Sequence, residues 1–178
     1  KDLNVIWIDA HPDIHTYEST VSGNTHGTPL SICTRMEEQH WASRMNLRSL
    51  QFDKLTYVGI RDIDEFEGET IRKNNIRVLD TTSVIDFIKK LDSPIHISFD
   101  VDALDPKLVD STGTAVPNGL EPEEVRDIIT AALDCHKLVS LDVVEFNKEL
   151  GNPDNSLLAV KRVFSDPNEP TSSDEYDF

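Results

Sequence analysis

The sequence predicts a three-layer α/β fold, with helices on both faces of a mostly parallel sheet. Two observations carry this. Near-continuous apolar runs of strand length recur along the chain, bounded by polar or Gly-containing turns, and segments of helical periodicity lie between them.

Taken in order, Leu-Asn-Val-Ile-Trp-Ile at 3–8 is a run of the kind a strand buried on both faces shows. Runs from Leu55 to Ile60, Ile76 to Leu79, Ile95 to Phe99 and Leu138 to Val144 repeat its β-branched and aromatic content. Between them, Ser83 to Leu91 puts Val84, Phe87, Ile88 and Leu91 on one helical face. Pro122 to Leu133 opens with Pro and two Glu, as a helix N-terminus does, before Val125, Ile128, Ile129 and Leu133. Pro29 to Met45, with Leu30, Cys33 and Trp41, is a less regular helix candidate. From Ser165 to Phe178 the chain has five acidic residues, no basic ones and no apolar periodicity, which reads as a flexible acidic tail after a single domain over residues 1–164.

Composition narrows the function. Among 178 residues, 17 Lys+Arg face 33 Asp+Glu, a net charge of −16. That argues against nucleic acid or an anionic membrane as partner and favours a cationic ligand or metal ions. Cys33 and Cys135, with no C-x-x-C spacing, suggest neither a disulfide framework nor a zinc-thiolate site, and fit a cytoplasmic setting. No apolar stretch reaches the ~20 residues that span a bilayer, and no signal segment opens the chain. It begins at Lys1 and enters a strand almost at once, which leads us to expect residues upstream.

The acidic residues are concentrated where chemistry is expected, since ligands in such folds bind beyond the carboxyl ends of the strands. The first strand runs into Asp9-Ala10-His11-Pro12-Asp13, whose alternate residues point to one side. The Ile95–Phe99 strand likewise runs into Asp100-Val101-Asp102. Either cluster alone is also what ordinary turn or capping Asp residues look like. Four carboxylates brought together resist simultaneous ionisation unless cations offset them. With one His they form a mixed oxygen and nitrogen set that favours Mn over Zn and leaves Mg and Fe open. His26, in Ser22-Gly23-Asn24-Thr25-His26-Gly27, is a candidate proton shuttle beside that set, and Glu145 ends a further strand.

These features together resemble the arginase branch of the ureohydrolase family. The resemblance rests on I-D-A-H-P-D-I at 8–14, S-G-N-T-H-G at 22–27, G-I-R-D-I-D at 59–64, S-F-D-V-D-A-L-D-P at 98–106, T-G-T at 112–114 and L-D-V-V-E-F-N at 141–147, in order from about residue 3 to residue 164. It implies two Mn²⁺ ions bridged by Asp9 and Asp100, with Asp13 on the first and His11 and Asp102 on the second. It implies hydrolysis of L-arginine to L-ornithine and urea, with Asp13 orienting the attacking hydroxide, His26 shuttling protons and Glu145 pairing with the guanidinium. Ser22, Asn24 and Thr114 would lie near the substrate carboxylate, and Asp64, helped by Glu67, near its amino group. A homo-oligomer, trimer or hexamer, is implied as well.

Two positions depart from the family pattern. His15 stands where arginases usually carry a carboxylate-binding Asn; an imidazole can also donate to a carboxylate. The family's first metal-ligating His, in an upstream Gly-Gly-Asp-His segment, has no counterpart in this sequence, so the fold is expected to lack its first strands and the first ion its nitrogen ligand. The alternatives are accordingly an agmatinase-like or other guanidine ureohydrolase, and a non-catalytic homologue with an incomplete metal site.

Overall fold

The computed structural model describes residues 2–166. Five strands, β1 (Asn4–Ile8), β2 (Leu55–Val58), β3 (Arg77–Val78), β4 (Ile95–Asp100) and β5 (Leu138–Val144), form one sheet in the order β3-β2-β1-β4-β5. Every pairing is parallel. Helices α1 (Pro29–Thr34), α2 (Glu65–Lys73), α3 (Thr81–Lys90), α4 (Pro122–Asp134) and α5 (Pro153–Val163) connect or follow the strands.

Alternation along the strands divides the core in two. Ile6 and Ile8 of β1 and Ile95, Ile97 and Phe99 of β4 pack with Val84, Ile88, Val125, Ile128 and Val160 of α3, α4 and α5. Val5, Leu55 and Tyr57 face the other way, toward Leu30 of α1 and Ile71 of α2. Helices on both faces of a parallel sheet make the expected three-layer αβα architecture.

The strands run outward from β1 in both directions, β2 and β3 one way and β4 and β5 the other. That reversal opens a crevice at the carboxyl ends of β1 and β4. Their register pairs Ile8 with Phe99, so Asp9 and Asp100 follow side by side.

Several elements differ from expectation. The Pro29–Met45 candidate is a six-residue helix, because Arg35 turns left-handed (φ 63°), and a separate 3₁₀ turn covers Trp41–Arg44. β5 is not buried on both faces: it is an edge strand among the described residues, and Val139 (62%) and Val143 (43%) stay exposed. Two helices escaped the periodicity reading, although α5 buries Ser156, Ala159, Val160 and Val163 along one face. In α2, Asp64 and Glu67 form a capping box, and α5 starts on Asn152-Pro153, where the Asn side chain accepts from the Asn155 N–H. The acidic tail falls on residues 165–178, of which 167–178 lie outside the described residues.

Candidate metal centre

Asp9 and Asp100 are each the first acid beyond the apolar part of a central strand, and local hydrogen bonds aim them. Asp9 accepts from the His11 N–H (2.7 Å) through Oδ1 and from the Trp7 indole N–H (2.9 Å) through Oδ2. Asp100 accepts from the Asp102 N–H at 2.9 Å, which starts a 3₁₀ turn over Val101–Ala103 and swings Asp102 inward. Asp102 in turn accepts from the Ala10 N–H (3.2 Å) and the Thr114 hydroxyl (2.8 Å). The Asp9–Asp13 loop and the Asp100–Asp102 turn are therefore bonded directly to each other.

His11 closes the group. Its Nδ1 lies 3.1 Å from Asp102 Oδ2 and 3.4 Å from Asp9 Oδ1, and its Nε2 lies 3.7 Å from Asp62 Oδ2. Ligand-type atoms of Asp9, His11 and Asp102 fall within 4.8 Å of one another. Asp13, held left-handed at φ 49°, follows Pro12, whose carbonyl accepts the buried Tyr57 hydroxyl at 2.8 Å. Asp13 and Asp100 line the same cavity as His11 and Asp102, about 230 Å³, at the carboxyl ends of the strands.

Electrostatics bear on what these side chains can hold. Burial, with the Asp102 charge, raises Asp9 to about 6 against hydrogen bonds from His11. Burial and the Asp9 charge raise Asp13 to about 8. Burial and the Asp9 and Asp102 charges raise Asp100 to about 10. Burial works to lower His11, but hydrogen bonds to Asp102 and Asp9 override it and push the imidazole up to about 10. Burial opposes the Asp102 charge, yet the His11 bond holds that carboxyl below its ordinary range. Crowded carboxylates that hold protons against their ordinary values are what a site built for cations looks like without them. Four carboxylates and an imidazole suit a divalent ion such as Mn²⁺.

The rest of the cavity holds most of the other predicted residues. His26 and Glu145 line it, both solvent-exposed, with Glu145 left-handed at φ 64°. Thr114 lines it beside Asp102. His15, which also lines the cavity, is pinned: its Nδ1 meets Ser19 Oγ at 2.9 Å, its Nε2 lies 3.0 Å from Asp64 and 3.9 Å from Glu67, and its ring stacks on Phe66. Burial raises the Glu67 carboxyl, with His15 working against the shift. Ser22 and Asn24 do not line the cavity; they sit in an exposed loop where Ser22 Oγ accepts from the Asn24 N–H. Three residues beside the ligands were not anticipated: Trp7, Arg61 and Asp62. Arg61 and Asp62 had a signal, since both lie in the G-I-R-D-I-D motif at 59–64, where only Asp64 was given a role; Trp7 had none, since its bond to Asp9 closes only in the folded chain.

A larger cavity, about 550 Å³, lies on the sheet face of Val5 and Trp7 beside α1. It is lined mainly by such side chains as Leu3, Leu30 and Leu50, and converging carboxylates are absent from its lining.

Comparison with known proteins bears on the family. The arginase of Neurospora crassa is 37% identical over 172 residues, covering 87% of this chain and 48% of that protein. The arginase of Glaciozyma antarctica is 38% identical over 168 residues, covering 83% of this chain and 48% of its own length. The chain thus spans about half the length of the curated relatives it matches. Among solved structures, Entamoeba histolytica arginase in complex with L-ornithine aligns with a TM-score of 0.81 at 34% identity, over 91% of this chain and 60% of that one. Bacillus subtilis arginase aligns with a TM-score of 0.81 at 26% identity, over 94% and 65%. The sequence model described as the Arginase family matches residues 1–166, nearly all of the chain, and the chain accordingly belongs to the arginase family.

Proposed function

We propose that this chain carries the metal-binding half of a manganese-dependent hydrolase that cleaves L-arginine to L-ornithine and urea. The observation that carries the reading is the convergence of Asp9, His11, Asp13, Asp100 and Asp102 at the carboxyl ends of β1 and β4, with Glu145 lining the same cavity. Asp9, His11, Asp13, Asp100 and Asp102 would hold two Mn²⁺ ions. When bound, the ions supply a water of lowered pKa as the nucleophile for the guanidinium carbon.

The remaining work falls to side chains. Asp13 accepts a hydrogen bond from the attacking water and holds it in line. Glu145 pairs its carboxylate with the guanidinium, a charge-assisted contact that also fixes the carbon's orientation. His26, on the solvent side, passes a proton to the departing amino group. Thr114, Asp64 and Glu67, which line the cavity, together with Ser22 and Asn24, would bind the amino-acid end of the substrate. Residues 1–164 would act as one catalytic domain within a cytoplasmic homo-oligomer, trimer or hexamer.

One observation favours a second guanidine substrate: His15 engages Asp64 at 3.0 Å, so that carboxylate already has a partner where an α-amino group would be read. Urea release from L-arginine and from agmatine, each with Mn²⁺, separates the two. A higher kcat/KM for L-arginine is expected. Preference for agmatine would overturn the substrate assignment, and uptake of one ion with no urea from either would favour a non-catalytic homologue.

A further inference from the structure

Arg61 lies outside the ligand set, on the segment leaving β2, and is partly buried. A guanidinium carries five N–H groups, and here each finds a backbone carbonyl. Nε donates to Pro117 at 3.0 Å, Nη1 to Gly59 at 3.1 Å and Ala103 at 3.2 Å, and Nη2 to Asp102 at 2.8 Å and Val116 at 2.7 Å; Leu104 is a longer contact at 3.5 Å. These carbonyls belong to three segments: the end of β2, the turn that carries Asp102, and the loop that carries Thr114. The Arg61 backbone N–H adds a fourth by donating to Ala10 at 2.8 Å, between Asp9 and His11.

The arrangement has a direction. Thr114 donates to Asp102 Oδ2, the same oxygen that lies 3.1 Å from His11 Nδ1. Thr114 is exposed and its loop is short of secondary structure, so something must keep it against Asp102. Arg61 spans that gap by binding Val116 and Pro117 on one side and Asp102 and Ala103 on the other. Its charge faces Asp102, Asp105 and Asp9 without being neutralised by a direct carboxylate bond in this set. A lysine, with three donors on a point charge, cannot reproduce a planar five-way contact.

We propose that Arg61 is a positioning residue of the metal centre: it clamps the Asp102 turn to the Thr114 loop and so fixes the Asp102 carboxylate for its ion. This rests on the metal reading above.

Mn²⁺ titration of the full chain, followed by electron paramagnetic resonance of the free ion, tests it, with circular dichroism as the check on folding. For Arg61→Lys the affinity for Mn²⁺ should fall about 10–100-fold, the range for groups that orient metal ligands. Thr114→Val should weaken binding in the same direction, and the double variant should lose less than the product of the two single losses, because both act through one carboxylate. A folded Arg61→Lys protein with the parental affinity, even one with a lower melting temperature, overturns the proposal. Should Arg61→Lys fail to fold, Thr114→Val decides: weakened binding supports the clamp and parental binding overturns it. An unchanged chain that takes up no Mn²⁺ overturns the metal reading and this proposal together.

Discussion

Loading Mn²⁺ into the site at pH 7 should release about three protons. The count follows from the protonation of the bare centre. Burial and neighbouring charges hold Asp100 at about 10 and Asp13 at about 8, and hydrogen bonds to Asp102 and Asp9, overcoming burial, hold His11 at about 10. All three therefore carry protons at pH 7, while Asp9, at about 6, is mostly ionised. Metal ligands bind as carboxylate and as neutral imidazole, so filling both sites displaces one proton from each of the three. Calorimetric titration in buffers of different ionisation enthalpy measures the number as the slope of apparent enthalpy against buffer enthalpy. A slope near zero would refute the reasoning, because it would mean the carboxylates were already ionised and His11 already neutral. The same shifts predict stability. Asp9, Asp13 and Asp100 have folded values above the ordinary 3.8, so their contribution is present below about pH 4 and is lost as pH rises through about 6, 8 and 10 in turn. His11, raised from 6.5, likewise loses its contribution as pH rises through about 10. The melting temperature of the metal-free chain should thus fall between about pH 5 and pH 8, and Mn²⁺ should oppose the fall.

Two substitutions probe the scaffold around the centre. Tyr57→Phe keeps the buried ring but leaves the Pro12 carbonyl without its 2.8 Å donor; urea unfolding should show a loss of about 1–3 kcal/mol, and a loss below about 0.5 kcal/mol would contradict this account of the Asp13 turn. Gly119→Ala would put a Cβ 2.3 Å from the Leu104 carbonyl carbon and 2.4 Å from the Asp105 nitrogen, a backbone clash that no rotamer relieves. It should cost more than about 2 kcal/mol, whereas Gly113→Ala, with nothing within 4 Å of the added carbon, should stay within about 0.5 kcal/mol; equal effects would refute the packing argument.

Much of this molecule is written in short-range pattern. Five apolar runs become five parallel strands; the central β1, β2 and β4 are apolar because they lie buried between two helix layers, while the edge strands β3 and β5 stay partly exposed. The alternating ligand-type residues Asp9, His11 and Asp13, and Asp100 and Asp102, could be read as clusters since each follows its strand directly. Amphipathic α3 and α4 were legible for the same local reason. α2 and α5 were not read from the sequence, although their caps, Asp64 with Glu67 and Asn152 with Pro153, are local signals. Pro29–Met45 carried enough apolar residues for one helix, but the left-handed turn at Arg35, whose guanidinium binds the Met45 and Leu47 carbonyls, ends it early.

By itself, then, the sequence determined the layered fold and the family and pointed to a candidate ligand set, all of which follow from neighbours in the chain. Only the tertiary structure decided which atoms meet. Strand order placed Asp9 beside Asp100, Trp7 turned its indole onto Asp9, His15 was spent on Ser19 and Asp64, and Arg61 gathered carbonyls as far as Pro117. The physical reason is directional: apolar burial is nondirectional and shows in composition and period, whereas hydrogen bonds between distant segments depend on distances and angles that exist only after the sheet has closed.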